Sequence, residues 1–110
     1  MNMFDILGRY DINEKIKEYY KTEGAVLLDV RTGEEYSKGH IPNSKNLPLQ
    51  SIDKAGKFIN SKEAPVFVYC RSGNRSKKAM DILYKNGYNV IELATGANGW
   101  VEAGKELVKK

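Results

Sequence analysis

The residues able to do chemistry in this 110-residue chain are gathered in Val66-Phe67-Val68-Tyr69-Cys70-Arg71-Ser72-Gly73-Asn74-Arg75-Ser76. An apolar run after Pro65 ends in the only cysteine, small residues carrying two arginines follow, and an amphipathic pattern then runs through Leu83. The apolar run reads as a buried strand, and Lys77 to Asn86 as a helix. Cys70 is therefore expected where a strand ends and a loop curls into a helix N-terminus. The first N–H groups of a helix have no intrahelical partners and favour negative charge. Gly73 and Asn74 tolerate positive φ, which lets successive amides converge on one point. Arg71 and Arg75 add positive charge. Each of these favours thiolate over thiol, and about 2.7 kcal/mol of such stabilisation makes the thiolate dominant at neutral pH. A lone intracellular cysteine is otherwise a buried, inert apolar group; the junction and the two arginines argue for a nucleophile instead.

Other candidates read as scaffolding. His40 is the only histidine and lies in the turn Gly39-His40-Ile41-Pro42, so it reads as a hydrogen-bonded fold residue rather than the base of a Cys/His hydrolase. Asp29 is expected to accept local hydrogen bonds, and Arg31 to pair with Glu35 four residues on. One cysteine and one histidine do not make a zinc site of the usual kind. Neither a metal nor a cofactor is expected.

The elements that must hold Cys70 follow from periodicity. Asp11-Ile12-Asn13-Glu14 is a capping-box pattern, after which Ile12, Ile16, Tyr19 and Tyr20 recur at helical spacing. The tyrosines read as packing. Ala25 to Val30 is a continuous apolar run interrupted only by Asp29, as in a strand buried on both faces. Asp29 falls near the carboxyl end of that strand, where open α/β sheets place their ligand crevice. Thr32-Gly33-Glu34-Glu35 offers a second capping box for a short helix through Tyr36. Lys45 to Leu49 has room for one short extended piece, and Ser51 is expected to cap a helical face of Ile52, Ala55, Phe58 and Ile59. Val90 to Leu93 reads as the last strand, Thr95 to Gly99 as a glycine-rich turn, and Trp100 to Leu107 as a closing helical segment with Trp100 anchoring the edge of the core. Phe4 to Tyr10 reads either as a first strand or as an irregular arm. Alternating strands and helices imply an α/β domain with a mainly parallel sheet of four to five strands, helices on both faces, and one domain over residues 1–110 with its core at about 11–100.

Composition excludes other classes. Hydrophobic content of 41% and charged content of 29% are ordinary for a globular domain. No run approaches the ~20 apolar residues of a membrane span. The net charge of +4 is spread along the chain without a basic stripe between exposed aromatics, which argues against nucleic-acid binding. A lone thiol suits a reducing compartment, and Met1 to Asp5 show no secretory pattern, so a cytoplasmic location is expected; a lone domain without an obvious exposed apolar face is expected to be a monomer.

With Asp29-Val30-Arg31, Gly39-His40-Ile41-Pro42 and the Cys70 to Ser76 segment in order and at matching separations, the chain resembles a single-domain rhodanese from about Asp11 to Trp100. The resemblance implies a three-layer rhodanese-like fold and a sulfurtransferase whose catalytic Cys70 carries a persulfide. It also implies a binding loop of Arg71, Ser72, Gly73, Asn74, Arg75 and Ser76, with Asp29, Arg31, Glu35 and His40 as structural support. The expected partners are a small anionic sulfur donor such as thiosulfate, a thiol or cyanide acceptor, or a sulfur-relay protein. Ser44 and Thr95 depart from the family pattern, in which a small apolar residue and a second glycine are usual. Two other readings stand beside this one. Cysteine phosphatases use C-x5-R, whereas Cys70 to Arg75 is C-x4-R and the fifth-spaced position is Ser76. A non-catalytic rhodanese-like binding module would commonly lose the cysteine that this chain keeps.

Overall fold

The computed structural model describes residues 12–109. Helix α1, Ile12–Lys21, leads into strand β1, Val26–Asp29, and then into helix α2, Gly33–Lys38. Strand β2, Lys45–Asn46, is followed by a 3-10 helix, Leu49–Lys57, and by strand β3, Pro65–Tyr69. Helix α3, Asn74–Lys85, strand β4, Asn89–Glu92, and helix α4, Gly96–Glu102, complete the order. The four strands form one sheet in the order β2-β1-β3-β4, every pair parallel. The expected α/β class and four-strand sheet are therefore present. The Phe4 to Tyr10 segment and the Asp11 cap lie outside the described residues.

Strict alternation along the central strands builds two cores, because successive side chains point to opposite faces. Leu28, Val66, Val68 and Cys70 join Leu47, Ile52, Ala55, Ile59, Ala79 and Leu83 on the face covered by α3 and the 3-10 helix. Leu27, Phe67 and Tyr69 join Ile12, Ile16, Ile41, Leu93, Ala97 and Trp100 on the face covered by α1 and α4. Each fully buried Leu, Val, Ile or Phe contributes roughly 1.5–3 kcal/mol. The alternation also fixes which way Cys70 points: its side chain enters the α3 face, one residue beyond β3.

Several boundaries differ from the sequence reading, each for a tertiary reason. Helix α3 begins at Asn74 rather than Lys77, so Asn74, Arg75 and Ser76 form its first turn instead of a loop. Helix α4 begins at Gly96, inside the expected turn, and ends at Glu102; the chain then returns so that Val108 bridges His40. The segment expected to be capped by Ser51 is 3-10, starts at Leu49, and is kinked at Ser51 itself. The Thr32 capping box forms as expected, with Thr32 Oγ1 accepting from Glu35 N–H and Glu35 accepting from Thr32 N–H. Tyr19 packs against the core as read, whereas Tyr20 is half exposed.

At the carboxyl edge of the sheet the fully buried Asp29 carboxylate accepts from Arg31 N–H at 2.9 Å and from its guanidinium at 2.6–3.0 Å. Arg31 also donates to Gly39 O at 2.6 Å, which ties the end of α2 to β1. The expected Arg31–Glu35 pair is replaced by this Asp29–Arg31 pair, because the guanidinium turns inward to the nearer, fully desolvated carboxylate. His40 follows the end of α2. Its ring stacks on Tyr36 with centroids 3.7 Å apart, its Nδ1 lies 2.9 Å from Tyr36 O, and its backbone pairs with Val108. Removing one partner of a buried ion pair leaves the other uncompensated. Asp29→Asn is therefore expected to lower unfolding free energy in urea by about 3 kcal/mol, while the folded fraction keeps most of its reactivity at Cys70.

Candidate active site

Cys70 follows the last residue of β3 and is 1% exposed. Its Sγ accepts from Gly73 N–H at 3.0 Å and lies 3.5 Å from Ser76 Oγ. Helix α3 has no capping side chain at its N-terminus, so the sulfur occupies the place a capping oxygen usually takes. Burial pushes the thiol up, but the Ser76 side chain and the backbone N–H groups of Ser76, Gly73 and Ser72 beside the sulfur outweigh it. The net direction is below the ordinary thiol value. Of the expected nest, Gly73 N–H is in hydrogen-bond contact with the sulfur, and hydrogen bonding leads the arginine charges in lowering the thiol.

Two glycines make the loop possible. Gly73 has φ +118°, and a Cβ there would stand 2.7 Å from Ala94 O. Gly96 has φ +57°, and a Cβ there would stand 2.2 Å from Cys70 O. That close approach lets Ala97 N–H donate to Cys70 O at 2.8 Å and Asn98 N–H to Arg71 O at 3.0 Å. The start of α4 is therefore capped by carbonyls of the Cys70 loop, and each braces the other. Thr95, where the family pattern has glycine, fits because Gly99 leaves the space that its Oγ1 occupies.

The two arginines are not equivalent. Arg75 grips Glu35 with both amino groups, at 2.6 and 3.0 Å, and joins α3 to α2. Arg71 approaches Glu35 only at 3.7 Å and its side chain is 65% exposed. The Arg75 hydrogen bonds, which outweigh partial burial, hold the Glu35 carboxyl down to about 2. Arg31, Glu34, Glu35, Lys38, Gly39, Arg71 and Leu107 line a shallow cleft beside the loop. The structure thus brings Cys70, Ser72, Gly73, Arg75, Ser76 and Glu35 together, with Arg71 at the rim, and leaves Asp29, Arg31 and His40 as bracing behind them. Sequence reasoning missed Glu92, which accepts from Ser76 Oγ at 2.8 Å; its position at the end of a strand beside β3 was the only signal available. Among the described residues no group of three or more His, Cys, Asp or Glu side chains is arranged to hold a metal ion.

Comparison with known proteins gives a consistent result. The Rhodanese-like domain family profile matches residues 13–103. The chain is 35% identical to the "Putative thiosulfate sulfurtransferase, mitochondrial" of Schizosaccharomyces pombe, with 100% of this chain and 82% of that protein covered. It is 38% identical to a "Sulfurtransferase" of Allochromatium vinosum, covering 79% of this chain and 81% of that one. The crystal structure of a rhodanese-related protein from Thermoplasma volcanium superposes with a TM-score of 0.73 at 31% identity, over 91% of this chain and 93% of that one. Other curated relatives are longer, and the chain spans between 20% and 42% of their length.

Glu35 makes the pairing visible in acid. Its folded-state value of about 2 lies below its ordinary 4.5, so the pair stabilises the fold fully above about pH 5 and is lost as the pH falls towards 2. Glu35→Gln is expected to lower the melting temperature at pH 7 and to flatten its decline between about pH 5 and pH 2, as followed by circular dichroism.

Proposed function

The chain belongs to the rhodanese-like domain family, and from that premise we propose that it is a sulfurtransferase, folded as one domain, in which Cys70 carries the transferred sulfur as a persulfide. The observation that carries this reading is the Gly73 N–H aimed at Sγ from 3.0 Å, at a helix start that supplies no other acceptor. Donors so placed hold an anion on sulfur both before and after it gains a second sulfur atom.

In the first half-reaction the Cys70 thiolate attacks the outer sulfur of thiosulfate or of a persulfide donor. A new S–S bond forms at Sγ, the donor's S–S bond breaks, and its electron pair leaves with sulfite or with the donor thiolate. In the second, a thiolate or cyanide attacks the outer sulfur of the Cys70 persulfide, and the electron pair returns to Sγ. Arg71, exposed and loosely held, recruits the anionic donor. Arg75 is engaged by Glu35 and serves as the brace that fixes the first turn of α3. The acceptor is a small thiol, cyanide, or the thiol of a relay protein. A lone reactive thiol suits a reducing compartment, which supports the cytoplasm as its location; among the described residues no helix is long and apolar enough to cross a membrane. Phosphate-ester cleavage is disfavoured because Arg75 stands at C-x4-R spacing and its fork is occupied.

Mass spectrometry after incubation with thiosulfate is expected to show one added sulfur on the wild-type protein and none on Cys70→Ser. Thiosulfate-to-cyanide transfer by Cys70→Ser is expected to fall at least ~1,000-fold, and Arg71→Ala to raise KM for thiosulfate several-fold with kcat little changed. A folded protein that takes up no sulfur from thiosulfate or from a low-molecular-weight persulfide would instead be a binding module.

A further inference from the structure

Glu92, the last residue of β4, has no part in the chemistry described so far. Its Oε2 lies 2.8 Å from Ser76 Oγ. That hydroxyl lies 3.5 Å from Cys70 Sγ and 3.2 Å from Gly73 O, on a residue with no solvent exposure. A serine hydroxyl has one hydrogen to give and two lone pairs to offer, whereas a carboxylate only accepts. The Glu92 bond is both the shortest of the three and charge-assisted, so it takes the hydrogen. The Ser76 oxygen then faces sulfur with its lone pairs and accepts the S–H of the neutral thiol. A thiolate has no hydrogen to offer and needs the very one that Glu92 holds. Two anions thus compete for a single donor.

We propose that Glu92 is a positioning residue that sets the charge on Cys70 by holding the Ser76 hydroxyl: the chain S–H···O–H···carboxylate must reverse before the sulfur receives the Ser76 hydrogen bond. The reversal balances without displacing a heavy atom. The S–H bond breaks and its proton passes to the Ser76 oxygen, the former Ser76 proton passes to Glu92, and the negative charge moves from carboxylate to sulfur. Ser76 then donates to the thiolate and accepts from the Glu92 carboxyl. Glu92 is part-exposed. The surrounding charges form a constant background: Arg71 and Arg75 face Glu35, and Arg31 faces Asp29. The inference rests on Cys70 as the reactive group, but it is read on the thiol itself, with no sulfur donor present.

The test is the pH titration of Cys70 alone, by ultraviolet thiolate absorbance and by alkylation rate with iodoacetamide. Glu92→Gln presents an amide that donates to Ser76 and fixes the reversed polarity, so the titration midpoint is expected to fall by about one pH unit. Glu92→Asp keeps the charge but is a methylene too short to hold Ser76, and is expected to move the midpoint the same way. Ser76→Ala is expected to raise the midpoint and to abolish most of the Glu92→Gln effect in the double variant. An unmoved or raised midpoint in Glu92→Gln overturns the proposal. So does a Glu92→Asp protein that titrates like wild type, or an undiminished Glu92→Gln effect without the Ser76 hydroxyl, since either assigns the effect to charge through space. A failure of these titrations leaves persulfide formation on Cys70 intact, and a failure to form persulfide leaves the titrations readable.

Discussion

A helix that begins on a sulfur atom is the constraint from which the rest of this structure follows. Helix α3 has no serine, threonine or aspartate at its cap, and its opening amides would be left unsatisfied at the edge of the core. Cys70 Sγ supplies the acceptor, most directly to Gly73 N–H. The same contact does two things at once: it meets the demand of the helix, and it favours thiolate over thiol. A neutral thiol accepts weakly, so the arrangement is better satisfied once the proton has left.

Holding one atom in that position takes most of the sheet. The alternation along β3 sends Val66, Val68 and Cys70 to the α3 face, while Phe67 and Tyr69 anchor the strand from the other. The carbonyls on either side of the turn are drawn back by the amides of α4, across a gap that only Gly96 leaves open. Glu35 clamps Arg75 from α2 and stops the first turn of α3 from swinging away. Asp29 and Arg31 fix the sheet edge under that clamp without touching the sulfur. The β1–β2 connection and α4 therefore brace the Cys70 loop and the first turn of α3 from two directions.

The legible part of this was the part written locally. The apolar run before Cys70, the glycine that follows it and the Thr32 capping box are signals carried within a few residues, and each formed as read. Hidden from a linear reading were contacts whose partners lie far along the chain. The start of α4 has no capping residue of its own because Cys70 O and Arg71 O, some 27 positions upstream of Ala97 and Asn98, accept its first amides. The start of α3 was set three residues late for the same reason: a cysteine is not a capping residue in general, and only the fold brings it there. Arg31 was matched to Glu35 by helical spacing, whereas the two carboxylates are divided by burial. Asp29, fully enclosed, takes Arg31, and Glu35, at the rim, takes the arginines of the loop. Glu92 could be placed in the last strand by sequence but not beside Ser76, since that depends on the register that sets β4 against β3.

Burial and reactivity pull against each other at Cys70, and their balance explains the economy of the site. Desolvating an ionised group costs several kcal/mol, and the sulfur sits at 1% exposure. Hydrogen bonds to a charged acceptor return roughly 1.5–3 kcal/mol each, and with Ser72 and Ser76 beside the Gly73 amide the net direction of the thiol is downward. The arginines act less directly, because Glu35 already neutralises much of their charge, taking both amino groups of Arg75 and lying 3.7 Å from Arg71. A thiol stabilised mainly by arginines would lose its activation each time an anionic donor bound them; one stabilised by amides does not.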